Sequence, residues 1–490
     1  MELRRHQVAA KIQAHEAMTL GDRRITVANV TPGGGKTLLA SVFAHTMLDA
    51  GYVDRVVIVC PRDSLRTQVQ EGFDCAAAGL TRKVVVWDPD KNTQRSLLGE
   101  LCGVVTTYQL AFARATKLKK LVQAHRTLLI LDEAHHLSGS DEDDEDEDYT
   151  AWRACIDPLV GAAKHTLVMT GTIYRSDAQR LPYVEYNAQD KPIVHISYTR
   201  QDALDEGAVL PIEFRMWDGR ARFEYRKESH ETELSSSTGD EAKRALRTAL
   251  ADMNEDGYVA RFVENAIGEW NSYRQKVYRS KAIVVCNSQS QARWMDERIR
   301  NMGHMVELAI SDEKDGARRI RRFRKNTGGE VLVTVGMAYE GLDVPDATHL
   351  LLLTNKRARP WLEQAVARVT RVNRSAPIDA HEQFAYVYMV DDKRARRFVD
   401  DIMTEQSQSV PLQERLKRSV VLRGRSSFIP IGCDATKRSE GSDLNGMFSA
   451  EQSAEIEDLR MSVPEFAHLP AIEVLRRSEK LRRKYGTSAA

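Results

Sequence analysis

The 490-residue chain has no long hydrophobic run: stretches such as Val56–Cys60 and Leu350–Leu353 fall far short of the roughly 20 apolar residues a membrane-spanning helix needs. Its start, MELRRHQVAAKIQAHE, is charged throughout and has no apolar signal core. Cysteine is sparse. Cys60, Cys75, Cys102, Cys155, Cys286 and Cys433 are scattered without a C-x-x-C pair, which excludes a disulfide framework or a cysteine-rich metal site and fits reduced thiols. The expected compartment is the cytoplasm, with no membrane partner. An excess of one charge is also missing, since 71 Lys and Arg face 70 Asp and Glu. Eight of those acids, however, form one run, Asp141–Asp148 (DEDDEDED); outside it 62 acids face 71 bases, an excess of nine positive charges. The near-neutral total therefore conceals a mildly basic body and does not exclude a polyanionic partner. No internal repeat is visible.

What is present is enough apolar residue, 42%, to build cores, and a length that suggests about three domains. Ile25–Val30, Val56–Cys60, Val84–Trp87, Gly103–Thr106, Leu128–Leu131 and Thr166–Met169 read as buried strands, each followed by helix-like spacing. That alternation predicts βαβ units around a parallel sheet. Further strands are expected at Val194–Ser197 and Pro211–Trp217, while Arg220–Tyr278 reads as charged and helical, interrupted at Ser235–Asp240. A second alternation follows at Ala282–Cys286, Met305–Ile310, Val331–Val335, His349–Leu353 and Phe384–Val390. The expected fold class is α/β: two tandem parallel-sheet domains over residues 1–200 and 201–405, then a small, mainly helical extension over 406–490.

The strongest chemical signal is ITVANV-TPGGG-KTLLASVFAHTML, a strand, a glycine turn and an amphipathic helix. This is the context of a phosphate-binding loop. Pro32 opens the turn, and Gly33, Gly34 and Gly35 let backbone N–H groups aim at phosphate oxygens beside a positive helix end. Lys36 would reach the β- and γ-phosphates of ATP, and the Thr37 hydroxyl would hold Mg²⁺. The strict pattern wants glycine where Val30 stands, so a glycine turn before a core helix remains the alternative for this segment taken alone.

A second apolar strand ends in Asp132-Glu133-Ala134-His135-His136. Carboxylates at the C-terminal edge of a parallel strand face the ligand crevice, so Asp132 can share the Mg²⁺ with Thr37, and Glu133 can orient or deprotonate water. Far downstream, WLEQAVARVTRVNR (Trp361–Arg374) has helical composition, which would place Gln364, Arg368 and Arg371 on one face. Two guanidiniums held so could close over a γ-phosphate; a solvated basic face is the alternative. Arg318, Arg321, Arg322 and Lys325 would form a second basic stripe, able to bind phosphates or simply to face water. A third basic cluster lies at Arg476–Lys484. The acidic run reads as an exposed insertion loop.

Taken in order, these motifs resemble a superfamily 2 helicase of the DEAH type, closest to the branch of type I and type III restriction motor subunits and related DNA-repair translocases. The likeness covers about residues 1–400 and implies that both sheet domains are RecA-like. Leu3-Arg4-Arg5-His6-Gln7 is similar to the adenine-reading element, which implies nucleotide contacts for Arg4 and Gln7. Asp132–His135 resembles motif II and Met169–Thr172 motif III, which implies a coupling role for His135, Thr170 and Thr172. Gln364–Arg371 resembles motif VI, with Ala367 in place of the usual glycine. Val331–Pro345 is similar to motif V, implying Gly341 and Asp343 on the ATP side and Thr334 toward nucleic acid. Pro61–Gln68 and Thr106–Gln109 resemble the strand-gripping motifs Ia and Ib, so Arg62, Gln68, Thr106 and Thr107 become nucleic-acid candidates beside Arg321 and Arg322. Such groups hold a backbone without reading bases.

The resemblance implies an ATP- and Mg²⁺-dependent, nucleic-acid-stimulated ATPase that moves along or unwinds DNA. RNA is the alternative substrate. A motor subunit of a larger defence, restriction or mobile-element complex is the alternative role, with the extension after residue 406 as the natural docking segment for a protein partner.

Overall fold

β-Branched and leucine-rich runs form the strands of two separate sheets in the computed structural model, which describes residues 2–21, 23–90, 101–137, 149–171, 173, 180–225, 228–313, 315–335 and 344–407. The acidic run 141–148, the extension beyond 407, and the candidates Thr172, Gly341 and Asp343 lie outside the described residues. The chain divides into two compact units. One comprises residues up to Thr199 with Ala358–Ala365, and the other Arg200–Arg357 with the chain from Val366.

The first unit runs α1 (Arg5–Leu20), β1 (Ile25–Val30), α2 (Lys36–Asp49), β2 (Arg55–Cys60), α3 (Asp63–Phe73), β3 (Lys83–Val86), β4 (Leu101–Thr107), α4 (Tyr108–Ala113), α5 (Ala115–Gln123), β5 (Thr127–Leu131), α6 (Tyr149–Ala162), β6 (His165–Thr170) and β7 (Ile196–Tyr198). Its strands form a wholly parallel sheet in the order β3-β4-β2-β5-β6-β1-β7. The central strands are buried on both faces, which is why they read as unbroken apolar runs rather than alternating ones. The order places β6 between β1 and β5, so loops leaving the C-terminal ends of β1 and β5 flank the end of β6. Helix α2 departs from the amphipathic expectation: Leu39 to His45, Met47 and Leu48 are all buried. It packs against α1 and α3, and Phe43 meets His165 of β6 with ring centroids 5.7 Å apart, so it has no solvent stripe to mark. Alanines at 10, 14 and 17 give α1 a small-residue face that lets α2 approach closely.

The second unit contains α7 (Arg200–Asp205), β8 (Ile212–Trp217), β9 (Arg220–Tyr225), β10 (Glu228–Glu233), α8 (Gly239–Ala251), α9 (Tyr258–Arg274), β11 (Lys281–Cys286), α10 (Gln289–Asn301), β12 (Val306–Ala309), α11 (Gly316–Arg324), β13 (Val331–Thr334) and β14 (Ala347–Leu353), then β15 (Ala385–Val390) and α13 (Lys393–Ser407); α12 (Arg359–Val366), between β14 and β15 in the chain, falls in the first unit except for Val366. A second parallel sheet has the order β12-β13-β11-β14-β15-β8. The two sheets with their flanking helices are the tandem RecA-like arrangement.

Two expectations are corrected. Arg220–Glu233 is not helical: β9 and β10 pair antiparallel in a hairpin. Its register sets Phe223 opposite His230, whose rings stack at 5.5 Å, and Arg222 opposite Glu231, joined at 2.9 Å. Cross-strand pairs of this kind stabilise a ribbon that charge content alone made look helical. The helix expected over Trp361–Arg374 stops at Val366. Beyond it Val369 N donates to Val366 O at 3.1 Å, and Leu210 N donates to Thr370 O at 2.7 Å, with Arg371 bridged to Val209. The β-branched residues Val366, Val369, Thr370 and Val372 favour that extended path. Among the described residues no helix is long and apolar enough to cross a membrane.

Candidate active site

The glycine turn begins where β1 ends. Thr31 N donates to Tyr198 O at 2.9 Å, and Gly34 N donates to Thr31 O at 2.9 Å. Gly33 and Gly35 take φ values of +85° and +98°, a region that side chains disfavour. Gly34 is constrained differently: a Cβ there would meet Thr31 O and Tyr198 Cδ1 at 2.9 Å. The loop is thus a concave turn that only small residues can line, leading straight into Lys36 at the first turn of α2.

Across the end of β6, the acidic segment leaves β5. Asp132 N donates to Val59 O at 2.9 Å and Tyr108 Oη donates to Asp132 O at 2.9 Å, so the backbone at Asp132 is anchored from two sides. Glu133 adopts φ +49°, which turns its side chain toward the glycine loop. There the Lys36 ammonium donates to Glu133 Oε1. Glu133 Oε2 lies 3.5 Å from His135 Nδ1 and accepts from Gly171 N at 3.4 Å; His135 Nδ1 in turn lies 3.2 Å from Thr170 Oγ1. One carboxylate therefore ties together the loop after β1, the segment after β5 and the end of β6. Burial opposes its charge, but Lys36, then His135, hold its pKa down to about 2. Gly171 is also fitted to this junction, since a Cβ there would lie 3.1 Å from Lys36 Nζ.

The start of α1 closes the loop from the other side. Arg4 Nη1 donates to Gly34 O at 2.9 Å. Arg4 N donates to Gln7 Oε1 at 3.0 Å, and Gln7 N returns a bond to Arg4 O at 2.9 Å, a reciprocal cap on the helix. A Cβ on Gly35 would lie 3.1 Å from Gln7 Nε2. Arg4, Gln7, Gly33, Gly34, Gly35, Lys36 and Glu133 are thus brought together.

Sequence reasoning missed two contributors. His6 is 1% exposed and stacks on Tyr198 with ring centroids 3.8 Å apart, directly beneath Gly34. Burial, then the nearby charge of Arg4, lowers the His6 pKa to about 4, so the ring is neutral at ordinary pH. Its place next to Gln7 was the available signal; Tyr198 carried none, because its position depends on β7 pairing with β1.

The other candidates are placed less tellingly. Arg62 stands at the N-cap position of α3 without a side-chain cap bond, and Gln68 lies within the helix, half-buried. Thr106 is wholly buried in β4, and the Thr107 hydroxyl is engaged by Leu110 N at 3.0 Å, capping α4. Thr334 is likewise fully buried at the end of β13. The correction at Val366 separates Gln364, still on α12, from Arg368 and Arg371, which follow it in a turn and a bridge, so the three do not share a helix face. Arg321 and Arg322 sit exposed on α11. No cluster of three His, Cys, Asp or Glu suited to a metal ion is found among the described residues.

Residues 1–175 match the family model described as "Type III restriction enzyme, res subunit", and residues 263–373 match "Helicase conserved C-terminal domain". An uncharacterized protein of Mycobacterium leprae is 27% identical over 352 residues, covering 70% of this chain and 56% of that protein. The chain spans about half the length of the curated relatives it matches. Two solved structures share the fold. The fragment of a putative HsdR subunit of a type I restriction enzyme from Vibrio vulnificus aligns with TM-score 0.52 at 17% identity, covering 80% of this chain and 65% of that one. The ATP-dependent type ISP restriction-modification enzyme LlaBIII bound to DNA aligns with TM-score 0.55 at 14% identity, covering 99% of this chain and 35% of that one.

Proposed function

We propose that this chain, which belongs to the superfamily 2 helicases in the branch of the restriction motor subunits, hydrolyses ATP and uses the energy to move along or unwind DNA. The observation that carries the reading is the meeting of Lys36 and Glu133 at the glycine loop, with the end of β6 bonded to the same carboxylate. The concave turn of Gly33 to Gly35 would receive phosphate oxygens on its N–H groups, and Lys36 would leave Glu133 for the β- and γ-phosphates. Thr37 and Asp132 supply hard oxygens of the kind Mg²⁺ takes when the remaining positions are phosphates and waters. Mg²⁺, when bound, would neutralise phosphate charge. Glu133, released from Lys36, is then free to orient water and accept its proton, and the Glu133–His135–Thr170 contacts pass the change to the end of β6. Arg368 and Arg371 stay candidates for the γ-phosphate charge, now in a turn and a β-bridge rather than on one helix face.

A second reading, a motor subunit whose output is delivered by a larger complex, is supported by the match of residues 1–175 to a model described as a restriction-enzyme subunit. Turnover of the purified chain with single-stranded DNA, duplex DNA and RNA, each followed by a strand-separation assay, tests both. Stimulation by DNA with strand separation supports the first reading, and stimulation without it the second. No stimulation by any of the three would overturn the motor assignment.

A further inference from the structure

The basic stripe of α11 runs from Arg318 in the first turn, on the side where β12 ends, toward Lys325, away from the strand ends that carry the motor motifs. In the second sheet Thr334 closes β13 at the C-terminal edge, whereas the last turn of α11 is anchored at the opposite one. Lys281, the first residue of β11, donates from Nζ to Phe323 O. Asn326 Nδ2 donates to Asp346 Oδ2 at 3.1 Å just before β14, and Arg322 pairs at 3.3 Å with Glu307 near the start of β12. Phe323 is fully buried and pins the helix, leaving Arg318, Arg321, Arg322 and Lys325 exposed along the other side.

The charges at this edge do not balance. Glu307 is taken by Arg322 and by Gly329 N at 3.0 Å. Glu330 is taken by Arg274 at 2.6 Å and His304 at 2.9 Å. Asp346 is taken by Asn326 and by Asn373 at 2.7 Å. Among the described residues Arg318, Arg321 and Lys325 have no acidic partner, nor have Lys276 and Arg279 in the loop entering β11. That loop also presents Tyr278, 64% exposed, with the Arg279 guanidinium 5.6 Å from its ring. The C-terminus of α11 accounts for Arg321 and Lys325, but not for Arg318 in its first turn or for Lys276 and Arg279 beside a solvent-facing aromatic ring. Cations about 5–6 Å apart on one helix face beside a stacking surface suit a polynucleotide backbone.

We infer that the outer face of α11, with the N-terminal sheet edge at which it ends, is a second DNA-binding surface beside the track at the strand C-termini, with Arg318, Arg321 and Lys325 on phosphates and Tyr278 as a stacking face. The inference rests on the nucleic-acid reading above, and its role is to hold a flanking stretch of the strand the motor works on.

The test uses the full chain and an R318A/R321A/K325A variant, with Y278A as a milder companion. All four side chains are exposed, and matching Tm values would confirm intact folds. Binding of a long DNA is titrated across salt, and ATPase is measured at saturating short oligonucleotide. For the triple variant the slope of log affinity against log salt should fall by about 3 in magnitude, since each lost phosphate contact removes roughly 0.9. Affinity for long DNA at low salt should fall about tenfold or more, while the saturated ATPase rate stays at the wild-type value. Y278A should weaken single-stranded more than duplex binding. An unchanged salt slope in the triple variant, with wild type stimulated by DNA, would overturn this surface alone. A wild-type enzyme that no nucleic acid stimulates would instead overturn the motor reading on which it rests.

Discussion

The Lys36 ammonium is bonded to Glu133 Oε1, so the cation expected to grip phosphate and the carboxylate expected to handle water neutralise each other. Each is then available only when the other is drawn away. Lys36→Ala should abolish ATP binding and turnover together. Glu133→Gln should keep nucleotide affinity within a few-fold while lowering kcat by about 100-fold or more, the usual scale for a lost general base. Equilibrium binding of a fluorescent ATP analogue beside steady-state ATPase separates the two, and weak binding by Glu133→Gln would contradict the assigned role.

The same pair sets an acid response. The Glu133 pKa lies near 2 against an ordinary 4.5, so the unfolded chain takes up a proton first as pH falls. Its contribution to stability is full above about pH 4.5 and is lost as pH drops toward 2. Glu133→Gln should lower Tm near neutrality, where that contribution is full, and flatten the Tm–pH curve between about pH 4.5 and 2.

His6 supports the glycine loop through Tyr198, with ring centroids 3.8 Å apart. His6→Ala should raise the KM for ATP several-fold with little change in kcat, and His6→Phe should restore it, because aromatic stacking of this kind is worth about 0.5–1.5 kcal/mol. Failure of phenylalanine to rescue would assign the effect to the ring nitrogens instead.

In the second unit His349 is buried against Tyr386 at 4.6 Å, and burial pushes its pKa down to about 3. The folded form stays neutral while the unfolded form protonates below about pH 6.5, so stability falls with pH across that interval. Between pH 6.5 and 5 this one group should cost about 2 kcal/mol. His349→Phe, assayed by urea unfolding at both values, should remove most of the difference; an unchanged pH slope would refute it.

Gly103 sits where β4 passes β2, and a Cβ there would collide with the Val56 carbonyl. Gly103→Ala should destabilise the first unit by about 3 kcal/mol or more, since neither backbone can yield without breaking sheet pairing. A Tm within a degree of wild type would disprove that account.

The parallel strands were legible because strands buried on both faces must be apolar along their length, and the glycine loop because few segments place three glycines between a strand and a Lys-Thr helix start. Arg4 and Gln7 were legible through the motif they resemble, although that motif said nothing of Arg4 bonding Gly34. The hairpin at Arg220–Glu233 was not, since its high charge content masked the period-2 spacing that the paired ribbon shows. Nor was the helix end at Val366, where a backbone bond from Leu210, some 160 residues earlier in the chain, diverts Thr370 and Arg371.

Local patterning in the sequence by itself determined the α/β class, the alternation of elements and the glycine turn that opens a Lys-Thr helix start, because these depend on residue spacing and backbone freedom within a few positions. Only tertiary structure decided that Glu133 meets Lys36, that His6 stacks under Gly34, and that α11 ends at the sheet edge opposite the one that carries Thr334. Those relations follow from strand order, which joins segments far apart in the chain, and strand order is fixed by the packing of whole sheets rather than by any one segment.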